Sequence, residues 1–189
     1  MYLKHLYMKN KIILLISIVA FTTSCFHEKG KTLFENPSKS INVSFELNSN
    51  NTPIYKVFYE NKMVIDSSLL GILRYDSNFY TNLEILHISE PKLIEDSYAM
   101  LQGKQKKISY SANQYTVHLQ NEAGSLMDII FQLSDDGVAF RYYFPETSTE
   151  IKRIVEEKTT YNFDQKTKAW LQPMSKAKSG WSETNPSYE

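Results

Sequence analysis

Apolar and polar residues alternate along most of this chain, with a period of two. In SINVSFELN, residues 40–48, Ile41, Val43, Phe45 and Leu47 fall on one side and Asn42, Ser44 and Glu46 on the other. Successive side chains of a strand point to opposite faces, so this is the pattern of a half-buried β-strand. A turn cluster follows at residues 48–53. IYKVFYENKMVID, residues 54–66, predicts two short strands joined in a hairpin around Glu60, Asn61 and Lys62, and SSLLGILRYD, residues 67–76, predicts a further strand. Between residues 76 and 106 the periodicity is mixed and Pro91 interrupts it, which predicts a loop-rich crossing segment with one short helix near 92–101.

Regular alternation returns in KKISYSANQYTVHLQN, residues 106–121. Ile108 and Tyr110 are expected to pair with Tyr115, Val117 and Leu119 across a turn at Ser111–Asn113. The strongest hairpin pattern is SLMDIIFQLSDDGVAFRYYFP, with strands over 126–133 and 138–144 and a turn at Ser134–Gly137. Asp136-Gly137 is a favoured hairpin pair where the backbone must take positive φ. Pro145 then ends the strand, because it has no N–H for a ladder. On the second strand Val138, Phe140, Tyr142 and Phe144 share the core face, while Ala139, Arg141 and Tyr143 share the other, with Asp128 as a candidate ion-pair partner for Arg141. IKRIVEEKTTYNFD, residues 151–164, predicts a last strand with its charges outward. Its first half has a helix-favouring composition, but Thr159-Thr160-Tyr161 favours a strand. About nine strands with few helices give an all-β fold, an antiparallel β-sandwich.

Composition narrows the function classes. The 189 residues carry 21 basic and 21 acidic side chains, and without a basic surplus nucleic acid is excluded as an expected partner. MKNKIILLISIVAFTTSC, residues 8–25, has basic residues, an apolar run and small residues before Cys25. That is the pattern of a secretory signal peptide, with Met8 as its natural start. Cys25 is the single cysteine, so no internal disulfide is possible. Its place after Thr22-Thr23-Ser24 resembles a bacterial lipobox, although Thr22 stands where leucine is usual. The expectation is an exported lipoprotein, periplasmic or anchored at the outer membrane through acyl chains on Cys25. An ordinary signal peptide cut nearby is the alternative. The resulting division is a signal segment over 1–25, a tether over 26–39, a sandwich over 40–170 and a crossing segment over 171–189.

Candidate chemistry is sparse. His5, His27, His87 and His118 are scattered without metal-ligand spacing, and His118 reads as a sheet-surface residue. There is no glycine-rich phosphate loop and no G-x-S-x-G elbow. Asp135-Asp136 reads as turn chemistry and Glu156-Glu157 as a solvated pair, neither in an evident pocket for acid–base work. No catalytic residue is expected. AWLQPMSKAKSGWSETNPSYE, residues 169–189, leaves the strand pattern and carries both tryptophans, Trp170 and Trp181. It reads as a crossing toward a module that the chain lacks.

Several of these stretches together resemble a known family. IIFQLSDDGVAFRYYFP (129–145), IVEEKTTYNF (154–163), AWLQP (169–173), NPSYE (185–189) and the early INVSFELNSNNTPIYKVFYENKMVIDSSLLGI (41–72) are similar in order and spacing to the N-terminal domain of glycoside hydrolase family 97. The resemblance implies an N-terminal β-super-sandwich, followed by a catalytic (β/α)₈ barrel and a small C-terminal β domain, in bacterial α-glucosidases and α-galactosidases. It implies that the catalytic carboxylates lie in the barrel, that this chain is truncated before it, and that this chain alone is inactive. It also implies a calcium ion at the active site with a glutamate from the N-terminal domain among its ligands, and the matching position here is Glu189. Calcium takes about six to eight oxygens, so the barrel would have to complete the site. The substrate implied is an α-linked oligosaccharide. The alternative is a free-standing carbohydrate-binding sandwich lipoprotein, with Trp170, Trp181 and tyrosines stacking on sugar rings.

Overall fold

The computed structural model describes residues 31–170. Cys25, Trp181 and Glu189 lie outside the described residues. Among the described residues there are twelve strands and no helix: β1 (Thr32–Glu35), β2 (Ile41–Leu47), β3 (Pro53–Tyr59), β4 (Lys62–Leu69), β5 (Ile72–Arg74), β6 (Asn78–Phe79), β7 (Glu84–Ile88), β8 (Lys92–Ala99), β9 (Lys107–Gln120), β10 (Leu126–Ser134), β11 (Gly137–Tyr143) and β12 (Ile154–Glu157). They form three antiparallel sheets. One is β1-β2-β3-β4, the second is β11-β10-β9-β7 with β8 also on β9, and the third is the small set β12-β5-β6.

The first two sheets face each other and bury the alternating side chains between them. Phe34, Val43, Phe45 and Tyr55 come from one layer, and Tyr115, Val117, Leu119, Met127, Ile129, Phe131 and Leu133 from the other. Their centre is aromatic, with ring centroids 4.5 Å apart for Phe34 and Tyr115, 5.3 Å for Phe34 and Phe131, and 5.9 Å for Phe45 and Phe131. Tilted and offset rings at these distances add to the stabilisation from burial alone. The Tyr115 hydroxyl sits at the edge of this cluster, accepting from the Glu35 N–H at 3.1 Å and donating to the Glu35 carbonyl at 3.0 Å. A buried phenol is thereby satisfied, and the two layers are tied at that end.

The hairpins use different turn chemistry. Glu60 and Asn61 both take positive φ, 47° and 62°, between Tyr59 and Lys62. Two left-handed residues give the turn whose twist matches its strands. The expected positive φ at Asp136-Gly137 is not found, and the loop is Asp135-Asp136 between the paired Ser134 and Gly137. Side chains hold it instead. Asn36 Nδ2 donates to Asp135 Oδ1 at 2.7 Å, and Ser134 Oγ donates to Asp136. Gly71 is required for space as well as for its φ of 146°, since a Cβ there would lie 2.8 Å from the Phe79 carbonyl oxygen.

Four expectations are corrected. The stretch read as a tether, 26–39, contains β1, with Phe34 fully buried, so the first sheet begins at Thr32 rather than Ser40. The crossing segment with a helix near 92–101 consists largely of strands β6, β7 and β8, and β8 pairs with β9 from Lys92↔Gln114 to Ala99↔Lys107. No turn occurs at Ser111–Asn113, where β9 runs unbroken for 14 residues. Ala112 is fully buried there, paired with Ile94 on β8 and Ser134 on β10, and a turn would break both ladders. Finally, Arg141 faces Ile130 across the hairpin and makes no ion pair among the described residues. Asp128 is taken from the other side, by His118 Nδ1 at 2.8 Å. Phe131 is central to the interior, and Phe131→Ala is expected to lower the unfolding free energy by about 3–5 kcal/mol, read from urea melts at constant m-value.

Candidate functional site

The chain leaves β11 through residues that a single arginine pins. Arg74, at the end of β5, has a side chain only 2% exposed. Its Nε and Nη2 donate to the two oxygens of Asp76 at 2.8 and 2.6 Å, and Nη1 donates to Glu146 Oε1 at 2.5 Å. The guanidinium lies near the rings of Phe79 and Phe144, at 5.2 and 4.8 Å from their centroids. A planar fork satisfies this geometry where a lysine would not. Lys152 adds a second cation, 3.0 Å from Asp76 Oδ2. Hydrogen bonds from Arg74 and then Lys152 hold the Asp76 carboxyl well below the ordinary carboxylate range. The same carboxylate, with Glu146, raises the Arg74 guanidinium further.

Beyond the clamp, residues 153–162 run antiparallel along residues 66–75 and join the small sheet to the edge of the first. Tyr75 N donates to the Arg153 carbonyl at 2.9 Å, Lys158 N to Gly71 O at 2.9 Å, Thr160 N to Leu69 O at 3.0 Å and Asp66 N to Asn162 O at 2.8 Å. β12 is the ordered centre of this seam, paired to β5 with one register shift between Ile154 and Glu156. Two tyrosine hydroxyls fasten it from beneath. Tyr142 OH accepts from Gly71 N at 2.8 Å and lies 2.7 Å from Thr159 Oγ1, while Tyr55 OH donates to the Thr160 carbonyl at 3.2 Å. Burial is the main reason that both phenols titrate above their ordinary value.

Along and just beyond the seam several apolar side chains are exposed among the described residues, interspersed with exposed charges such as Arg153, Glu156, Glu157 and Lys168. Ile151 and Trp170 are 98% and 100% exposed, and Ile154, Val155, Tyr161 and Phe163 are each about half exposed. Isolated exposed apolar residues are ordinary, but six within twenty residues of one segment make this stretch the candidate contact surface, with Tyr161 partly engaged by Phe140 at 6.4 Å between centroids.

The remaining candidates stand apart from this face. His118 lies on the sheet surface, stacked on His87 with centroids 4.2 Å apart, and its Nδ1 is engaged by Asp128. Asp135 and Asp136 serve the hairpin turn. Glu156 pairs with Lys158 at 2.6 Å. Among the described residues no three His, Cys, Asp or Glu side chains are placed to hold a metal. Asp76 and Glu146 are both committed to Arg74. The clamp was missed in the sequence because its members, at 74, 76, 146 and 152, are distant along the chain. Only the Arg-x-Asp spacing of residues 74–76 hints at it.

Comparison with known proteins gives a consistent result. Residues 34–189 match the family described as Glycosyl-hydrolase 97 N-terminal. A probable retaining alpha-galactosidase of Streptomyces bingchenggensis (strain BCW-1) is 26% identical over 110 residues, covering 58% of this chain and 17% of its own length. The crystal structure of a beta-arabinopyranosidase superposes with a TM-score of 0.72 at 30% identity, over 79% of this chain and 24% of that one. A glycoside hydrolase family 97 enzyme from Pseudoalteromonas sp. strain K8, solved with panose and with acarbose, superposes with a TM-score of 0.63 at 22% identity, over 71% of this chain and 20% of that one. The chain therefore spans a quarter or less of each of these proteins.

Because the folded value of Asp76 lies below its ordinary 3.8, the clamp stabilises the fold fully above that pH and loses its effect as the pH falls through the folded value. Asp76→Asn is expected to melt at a lower temperature than the parent at neutral pH. Its melting temperature is then expected to fall less steeply than the parent's below about pH 4. Thermal melts across that range check both, and parallel curves would count against a titrating clamp.

Proposed function

The chain belongs to the glycosyl-hydrolase 97 N-terminal family, and from that premise we propose that it is the non-catalytic N-terminal portion of an exported, calcium-dependent α-glycosidase. In this reading the apolar face of the seam packs on the catalytic barrel, and Glu189 supplies one carboxylate to a calcium site completed from the barrel side. The observation that carries it is the family match together with the short span of the longer relatives that the chain covers. Among the described residues no three His, Cys, Asp or Glu side chains are gathered as a metal site would require. A single glutamate cannot supply the six to eight oxygens that calcium prefers. The substrate proposed is an α-linked oligosaccharide, with the reacting carboxylates outside this chain. Export and anchoring are proposed through the apolar run before Cys25, with Cys25 as the lipidated residue.

The clamp and the seam suit such a role. They fix the path of the polypeptide from β11 to Asn162. A calcium ligand farther along the chain needs a defined starting point, because a displacement of about 1 Å at a site is costly.

Two outcomes are expected of the purified chain. It hydrolyses neither nitrophenyl α-glucoside nor nitrophenyl α-galactoside above background, and it shows no calorimetric heat with calcium at micromolar concentration. Turnover, or tight calcium binding by the chain alone, would contradict the proposal. In a polypeptide extended by the barrel, Glu189→Gln is expected to weaken calcium binding at least about tenfold. Binding of maltooligosaccharides or galactosides by the chain alone would favour the sugar-binding alternative, for which the full exposure of Trp170 is the supporting observation. The uncovered face should also bind a hydrophobic dye, and Ile151→Glu with Ile154→Glu should cut that fluorescence severalfold without changing the melting temperature.

A further inference from the structure

β8 and the first part of β9 leave the second sheet as a two-stranded arm. β10 pairs with β9 only as far as Ala112, so Lys107–Ser111 have β8 as their one ladder partner. Five residue pairs, from Glu95↔Ser111 to Ala99↔Lys107, extend past that point. At about 3.4 Å per residue they reach roughly 17 Å beyond the last partner on β10. Met100 N closes the tip on the Lys106 carbonyl at 2.8 Å.

The composition of this arm is sharply divided. Residues 97–110 hold three lysines, Lys104, Lys106 and Lys107, and no acidic residue. All three lysines are exposed. At the tip Leu101 is 103% exposed, and Met100 and Tyr98 are about half exposed. Tyr110 belongs to the root instead, paired with Asp96 and with its hydroxyl 3.4 Å from Gln132 Oε1. The acids of the arm, Glu95 and Asp96, both sit at its root.

We propose that this tip is a membrane-surface anchor, which places Met100 and Leu101 in the acyl region of an anionic phospholipid bilayer. An apolar point flanked by lysines and backed by Tyr98 is the arrangement that suits an interface. The thioether and the leucine enter the hydrocarbon, the lysine stems extend toward phosphate, and the Tyr98 phenol, one residue pair behind the tip, lies at headgroup depth. Charge decides the orientation. Glu95 and Asp96 are repelled by anionic headgroups, so the arm meets the surface tip first rather than lying flat. Shape decides against a protein partner. The apolar side chains crown a convex point, which a fluid bilayer accepts and which a protein could accept only through a preformed acidic-rimmed pocket. The inference is independent of calcium and of the catalytic reading. A tip of this size anchors weakly alone and acts as the second attachment of a chain held by another.

The test uses the full chain with Leu101→Trp, so that any contribution from residues 1–25 is the same in every comparison. Its fluorescence above that of Trp170 and Trp181 is read with vesicles of phosphatidylcholine alone and with added phosphatidylglycerol. With anionic vesicles the emission at position 101 is expected to shift to the blue and to be quenched by brominated acyl chains. Lys104→Ala with Lys106→Ala is expected to weaken vesicle binding about 30-fold, at about 1 kcal/mol per lysine, with the melting temperature unchanged. Met100→Asp in the same background should abolish the quenching. Water-like emission at position 101 in the presence of anionic vesicles would overturn the proposal, as would equal insertion into neutral vesicles. So would loss of the signal to soluble glycerophosphate, or a blue shift produced by a protein without lipid.

Discussion

A pleated strand presents every second side chain to the same face, and in β9 and β10 that face holds Tyr115, Val117, Leu119, Met127, Ile129, Phe131 and Leu133. Such a surface must be covered, and β1 to β3 cover it with Phe34, Val43, Phe45 and Tyr55. Burial of each large side chain is worth about 1.5–3 kcal/mol, which no surface ion pair in the molecule approaches. Everything else is arranged around this layer. The turn at Asp135-Asp136 is held by Asn36 because β1 has been drawn against β9 and β10. The Tyr115 hydroxyl meets the Glu35 backbone for the same reason.

The polar features lie where the layers end. Arg74 is the single arginine driven into the interior, and its charge is met on two sides by Asp76 and Glu146 and bounded by two rings. A buried cation is tolerable only with such satisfaction. The clamp therefore constrains the path of residues 144–153, and the seam of residues 153–162 follows from it. The chain covers a quarter or less of the length of the relatives it matches, and the clamp and seam order the segment that follows the sandwich strands.

The arm formed by β8 and β9 obeys a different rule. It buries little, so alternation has nothing to select against on either of its faces. Polar and apolar residues are consequently mixed in residues 92–101, and the pattern resembles neither a strand nor a helix. The strand exists because β9 offers a ladder along Lys107–Gln114, a partner that lies beyond any local window. The same absence of a covered face leaves Met100, Leu101 and the lysines available to something outside the chain.

By itself the sequence determined the strand class, the interior faces of β2 and β11, the hairpins at Glu60-Asn61 and around Ser134–Gly137, and the family. These are legible because pleat, burial and the placing of turn-favouring residues act over a few residues, although the φ expected at Asp136-Gly137 is not adopted. Only the tertiary structure decided that β9 runs unbroken through Ala112, that β1 replaces a tether, that Asp128 meets His118 rather than Arg141, and that Arg74 gathers Asp76, Glu146 and Lys152. Each of those outcomes depends on which segments pair across long stretches of chain, and a local pattern of apolar and polar residues carries no information about the identity of a distant partner.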